Sequence, residues 1–219
     1  VSAETMPEPL AAVRWLHATQ DVADEDVTVV YDLGARALDV AVVRGGSRPV
    51  LVGRPLSSDD ISGDHLDHLV TTYLLGMLGE NAAVHDPFDA EAVAAFADLR
   101  TRCRVARETL SRDTETVVPI VLPGVQRDLR FVRSEFEELA REPLDASLSV
   151  VRDALRAAGV DLSEVRRVLL TGGGSSTPLV AESISSQLGV PIVSSARPAY
   201  TSAHGAALAA VSDTAPVVA

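Results

Sequence analysis

The chain has 219 residues, 47% hydrophobic and 23% charged, with a formal net charge of −12. That acidity argues against binding nucleic acid or an anionic membrane, whose affinity comes from clustered cations. All 19 basic residues are arginine, which excludes a Walker-type loop or Schiff-base chemistry within this chain, and one cysteine, Cys103, excludes an internal disulfide. No apolar run approaches the ~20 residues of a membrane span. No signal-peptide pattern opens the sequence. A soluble, cytoplasmic segment is expected, and a parent protein could be tethered to a membrane only through segments outside it. Aromatic residues make up 4% of the chain, so Val, Leu and Ala must fill the core.

In chain order, a short helix is expected from Leu10 to His17, then an acidic linker, Asp21 to Asp26. A meander of three strands follows, Val27–Leu33, Leu38–Arg44 and Val50–Pro55, with Gly45-Gly46-Ser47 as a turn. Helices are predicted from Gly63-Asp64 to about Leu78 and from about Asp89 to Leu110, separated by a loop around His85-Asp86-Pro87. A hairpin, Thr116–Leu122 and Leu129–Val132, turns at Pro123-Gly124. Ser134 with Glu137 reads as a capping box opening a helix that Pro143 breaks or kinks before it continues to Ala158. The last third alternates: strand Val165–Leu170, helix from Thr177-Pro178 to Leu188, strand Pro191–Val193, helix Tyr200–Val211. A meander followed by alternating units predicts an α/β fold built on a mixed sheet with flanking helices. The helix-and-hairpin stretch near 63–133 reads as an insert.

Four patterns bear on chemistry. In VLLTGGGSSTP, residues 168–178, Gly172, Gly173 and Gly174 lead through Ser175 and Ser176 to a helix start. Glycines permit close backbone approach and a helix N-terminus attracts anions, although the same pattern also makes an ordinary connection. In YDLGARALD, residues 31–39, Asp32 and Asp39 bracket a turn. Carboxylates at strand ends can hold a metal's waters, or can be two solvated turn residues. Arg100, Arg104 and Arg107 share one helix face, suited to an anion or to solvent, with Arg104 and Glu108 spaced for an i,i+4 ion pair. His65 and His68 also share a face, spaced for a metal or simply in an acidic, capped first turn.

Taken in order, these pieces resemble the nucleotide-binding domain of the seventy-kilodalton heat-shock chaperones, members of the actin-like ATPase superfamily. The resemblance runs through EPLAA (8–12), YDLGARALD, SGDHLD (62–67), CRVARETLS (103–111), SEFEEL (134–139), LTGGGSSTP and HGAALAA (204–210). It implies lobe II of that domain: a sheet-based subdomain over 1–62 and 134–212, an inserted helix-and-hairpin subdomain over 63–133, and the start of a linker over 213–219. It further implies ATP or ADP with magnesium in a two-lobe parent, none held tightly by this segment alone. Lobe I of the same parent would be the partner, with protein partners on the insert, and no nucleic acid or membrane contact.

The resemblance also carries residue roles. Asp32, Gly34 and Asp39 match the second phosphate motif, with Asp32 reaching magnesium through water and both aspartates in the catalytic positions. Ala35, Arg36 and Ala37 replace two glycines and a threonine, leaving Arg36 as a substitute phosphate contact or an obstruction. Gly63, Gly172, Gly173 and Gly174 fall in nucleotide-facing loops, and Ser176 replaces an arginine that packs on the adenine. On the adenosine helix Arg107 and Ser111 keep their roles, whereas Arg104 reverses the charge of a glutamate. Ala199 replaces an acidic residue. Two functions follow: a chaperone-like ATP-binding lobe with weak or absent hydrolysis, or a pseudo-ATPase scaffold used as a protein-interaction module. This segment alone is expected to be inactive.

Overall fold

The computed structural model describes residues 5–79 and 89–213. The loop at His85-Asp86-Pro87 and the tail beyond Asp213 lie outside them. The chain divides into two compact units, Val1–Gly63 with Leu144–Ala219, and Asp64–Pro143.

The first unit is built on a five-stranded mixed sheet. Strands β1 (Val27–Leu33), β2 (Leu38–Arg44) and β3 (Val50–Ser58) form an antiparallel meander, and β6 (Val165–Thr171) and β7 (Ile192–Ser194) add in parallel, giving the order β3-β2-β1-β6-β7. In central β1 and β6 nearly every residue is buried, because both faces of the sheet are covered there. β3 runs past Pro55, where the sequence predicts its end. It is an edge strand, and an edge tolerates a residue that cannot donate to the ladder.

Helices α1 (Glu8–Thr19) and α6 (Thr201–Asp213) pack against each other at very short range. At Gly205 the α6 backbone lies so near the Ala11 carbonyl that any side chain would collide with it. From α1, Ala12, Val13 and Leu16 join Val30, Ala41, Val43 and Leu169 of the sheet in one core cluster. Tyr31 is buried, with its hydroxyl 2.9 Å from Ser147 Oγ, which itself donates to the Leu144 carbonyl. Burial pushes the Tyr31 phenol up to about 12, so it is a permanent donor.

The second unit contains most of α2 (Gly63–Gly76), all of α3 (Ala90–Leu110), a two-stranded sheet of β4 (Glu115–Leu122) and β5 (Val125–Val132), and the start of α4 (Arg133–Ala158). β5 begins four residues earlier than predicted. Its Gln126-Arg127-Asp128 stretch hides no apolar residue but pairs fully with β4 across the Pro123-Gly124 turn.

Two expectations for α4 are corrected. The helix runs through Pro143 unbroken. A buried stripe of Phe136, Ala140, Leu144, Leu148, Val151 and Leu155 continues on both sides of the proline and outweighs its local cost of ~3 kcal/mol. The helix also starts earlier, so the carboxylate that reaches back is Glu135, not Glu137: Glu135 Oε2 accepts from the Val132 N–H at 2.9 Å. Helix α5 (Pro178–Leu188) completes the first unit. Among the described residues, no helix is long and apolar enough to cross a membrane.

Candidate functional site

The β1–β2 register decides the first site. Leu33 pairs with Leu38, leaving Gly34 to Ala37 as the hairpin loop, and Asp32 sits directly opposite Asp39. Like charges directly opposite across a strand pair are destabilising, which a cation between them would relieve. Asp32 is half-buried and Asp39 exposed. Burial pushes the Asp32 carboxyl above the usual range, opposed by the neighbouring Thr171 hydroxyl and reinforced by Glu8 and Asp39. The Thr171 hydroxyl faces that carboxylate without a hydrogen bond of standard geometry.

Glu8, the first residue of α1, lines with Asp32 and Asp39 a cavity of about 270 Å³ whose walls include Val30, Ala41, Leu51 and Pro55. Sequence reasoning did not single out Glu8 as a site residue. Its signal was local: an acidic residue between Pro7 and Pro9 at a helix start, where the prolines fix its direction. Among the described residues, no three His, Cys, Asp or Glu side chains gather closely enough to ligate one ion directly. A metal here would be held through water.

The glycine loop presses on the end of β1. Gly172 has φ +80 and ψ 153, a conformation open essentially to glycine alone, and a side chain there would collide with Asp32 Oδ1 and the Leu33 carbonyl. A methyl group on Gly174 would lie 2.6 Å from Leu33 Cγ. Gly173 has room, with Ala199 Cβ at 3.9 Å. The chain then makes a 3-10 turn, Gly173–Ser176, in which Ser175 Oγ donates to the Thr171 carbonyl at 2.6 Å and Ser176 is exposed. Thr177 occupies the N-cap of α5 but makes no capping bond. Its hydroxyl is buried with no hydrogen-bond partner.

The hairpin loop is tied down differently. The Gly34 N–H donates to the Ala37 carbonyl at 2.9 Å, and the Gly63 N–H donates to the Gly34 carbonyl at 2.9 Å. A side chain on Gly63 would come within 3.3 Å of Ala35 Cα, tighter than an ordinary van der Waals contact. Ala35 and Arg36 are exposed. Among the described residues, no residue other than glycine has positive φ, so Ala35-Arg36-Ala37 sits in this loop without backbone strain.

A magnesium–nucleotide phosphate group fits these residues. A half-desolvated carboxylate faces a second one and lacks a counter-charge, and two loops offer backbone where Cβ atoms would intrude.

Arg104, Arg107 and Ser111 belong to the second unit. Arg107 is buried, and its Nε donates to Asp67 Oδ1 at 2.6 Å in a pair whose side chains are only 6% and 8% exposed. Ser111 caps the end of α3, its Oγ 3.5 Å from the Arg107 carbonyl. Arg104 and Arg100 are exposed and line a cavity of about 230 Å³ with Asp64, Asp67, Ala97 and Thr101. The expected Arg104–Glu108 ion pair is not formed; on α3 the i,i+4 pair is Arg102 with Asp98, and Arg102 also donates to the Pro119 carbonyl. Cys103 is fully buried, and burial pushes its thiol up, which makes it inert packing.

Residues 11–215 match the family model for Hsp70 protein. Among curated proteins, the chain is 31% identical over 186 residues to a chaperone protein HscA homolog of Methylibium petroleiphilum, covering 85% of this chain and 29% of that protein. It is likewise 31% identical over 191 residues to chaperone protein HscA of Escherichia fergusonii, covering 87% of this chain and 29% of that protein. The chain thus spans less than a third of the length of these relatives. A match over nearly all the chain, with a mixed sheet and flanking helices of the actin-like ATPase kind, leads to one conclusion: the chain belongs to the Hsp70 family.

Proposed function

We propose that the chain is lobe II of a chaperone-type ATP-binding domain, contributing phosphate and adenosine contacts, with degenerate motifs that leave hydrolysis weak or absent. In this reading residues 1–62 with 134–212 are the sheet-based subdomain and 63–133 the insert, and lobe I of the same parent is the partner. The observation that carries it is the placement of Asp32. The carboxylate is half-desolvated, opposite Asp39, and enclosed by a glycine that tolerates no side chain.

When bound, ATP with magnesium supplies the phosphoanhydride and the charge that neutralises it. Ionised Asp32 would hold the metal through its bound waters, and Glu8 and Asp39 would add to the field that draws the cation in. Gly172 and Gly174 keep the backbone close to that carboxylate. Hydrolysis needs donors aimed at developing charge, and here the hairpin loop falls short. The Gly34 N–H is already committed to Ala37, and residue 37 has no hydroxyl. Each missing oriented donor costs on the order of 2–4 kcal/mol in the transition state. The second reading, a pseudo-ATPase scaffold, rests on the exposed Arg36 at the loop tip: in that reading the arginine obstructs the phosphates, whereas in the first it is a substitute contact to them.

Calorimetry and turnover in the two-lobe parent separate the readings. ATP with magnesium should bind and turn over weakly, Asp32→Ala should abolish binding, and Ala35→Gly/Arg36→Gly/Ala37→Thr should raise turnover about a hundredfold. No heat at millimolar ATP, with no turnover in the triple variant, would overturn the ATP-binding reading in favour of the scaffold.

A further inference from the structure

Asp39, Asp32 and Thr171 form one row across the adjacent strands β2, β1 and β6, Asp32 pairing with Asp39 on one side and with Thr171 on the other. Paired residues of neighbouring strands direct their side chains to the same face, so the row presents two carboxylates and one hydroxyl. Thr171 is the last residue of β6 and only 1% exposed. Its carbonyl is tied by Ser175 Oγ at 2.6 Å, and its branched side chain has little rotamer freedom. Yet its hydroxyl has no hydrogen-bond partner of standard geometry among the described residues, although the Asp32 carboxylate faces it. A buried donor left unpaired costs free energy that a partner would restore. Gly172 shows which carboxylate oxygen lies on that side, because a side chain there would collide with Asp32 Oδ1. Asp32 also borders the cavity that it shares with Glu8 and Asp39.

We propose that Thr171 is a positioning residue for Asp32: its hydroxyl donates to Oδ1 when the carboxylate binds a hydrated cation, leaving Oδ2 to the cation's waters. An ionised carboxylate only accepts, so Asp39 can donate nothing to Asp32, whereas Thr171 is a donor already held beside it. A carboxylate anchored through one oxygen loses less freedom when the other takes up a metal's water, and such outer partners orient metal-binding groups generally. The bond also satisfies a hydroxyl that is otherwise orphaned, so its benefit falls on the bound state rather than on the fold. That the cation is magnesium arriving with ATP rests on the reading above; the anchoring rests on the strand register and the orphaned hydroxyl.

Calorimetry of ATP with the two-lobe parent, with magnesium and with excess EDTA, isolates the metal-dependent gain in affinity, while urea midpoints of the 219-residue chain without ligand report on the fold. Thr171→Val keeps the shape and removes the donor: the magnesium-dependent gain should fall about tenfold, with the midpoint unchanged or higher. Thr171→Ser keeps the donor and loses a methyl group: the midpoint should fall, with the gain within about twofold of wild type. A threonine that serves packing alone gives the reverse order, any loss of affinity following the loss of stability. A gain unchanged in Thr171→Val, or reduced as much in Thr171→Ser, would overturn the anchoring and leave the nucleotide reading standing. A lowered midpoint in Thr171→Val would assign the hydroxyl to the fold and overturn it as well. No heat from the wild type at millimolar ATP would overturn the nucleotide reading and the anchoring with it.

Discussion

Asp32 and Asp67 are both withdrawn from water, one in each unit, and their surroundings give them opposite roles. Asp67 is almost fully buried, and its charge is met at 2.6 Å by Arg107, itself buried. Asp32 is only half-buried, yet the charges that act on it are Glu8 and Asp39, which share its sign. A desolvated charge with a partner is part of the fold; one surrounded by its own sign costs stability until something positive arrives. That difference separates a structural carboxylate from a binding one, although both sit in stretches that carry the family resemblance.

The sharpest test of the structural half is Asp67→Ala. Removing one member of a buried pair strands the other, and unfolding free energy should fall by about 3–5 kcal/mol in urea denaturation. Replacing both partners, Asp67→Ala/Arg107→Leu, should recover most of that loss, because an apolar pair leaves no buried charge. Equal losses in the single and double variants would sink the assignment of Asp67–Arg107 as a mutually dependent pair.

A smaller effect is expected at the wall of the Asp32 site. Gly172→Ala forces a side chain into a left-handed extended conformation and against the Asp32 carboxylate. A loss of about 2–4 kcal/mol follows from strain and overpacking together. Gly173→Ala, five residues before the start of α5 and with open space around it, serves as the control and should change stability by less than about 1 kcal/mol. Similar losses in both would show that the crowding at Gly172 is not what makes that glycine necessary.

Much of this contrast was legible in the residues. The apolar run into Asp32 and the short Gly-Ala-Arg-Ala connection place the two aspartates at facing strand ends, and the register follows once Leu33 and Leu38 pair. Arg107 was legible as a cation on the α3 face but not as a buried one. Its partner Asp67 lies 40 residues earlier, on another helix, and no helical periodicity links the two. Glu8 was hidden for the same reason: α1 brings it beside Asp32 only through the tertiary packing of α1 on the sheet. Pro143 misled because local helix-breaking chemistry is visible in a sequence, while the buried stripe that overrides it depends on what the helix packs against. That Arg102, not Arg104, makes the i,i+4 ion pair on α3 was likewise beyond spacing rules, which put Glu108 within reach of Arg104.

The subtlest test concerns Asp32 itself, through pH. Its carboxyl titrates above the ordinary value of 3.8 in the folded state. Between 3.8 and that raised value the native protein holds a proton that the unfolded chain has released, so stability falls as pH rises through this window. At neutrality, with no metal or nucleotide added, the full cost of the desolvated charge is present. Asp32→Asn should therefore be more stable than the wild type near neutrality, with the advantage vanishing as pH drops below 3.8, while binding of ATP with magnesium in the two-lobe parent is lost. Asp39→Asn removes only one of the like charges and should flatten the same slope less. Urea midpoints across this range decide it. An Asp32→Asn protein less stable than the wild type at neutrality would mean that Asp32 is held by the fold as Asp67 is, and the distinction between the two aspartates would collapse.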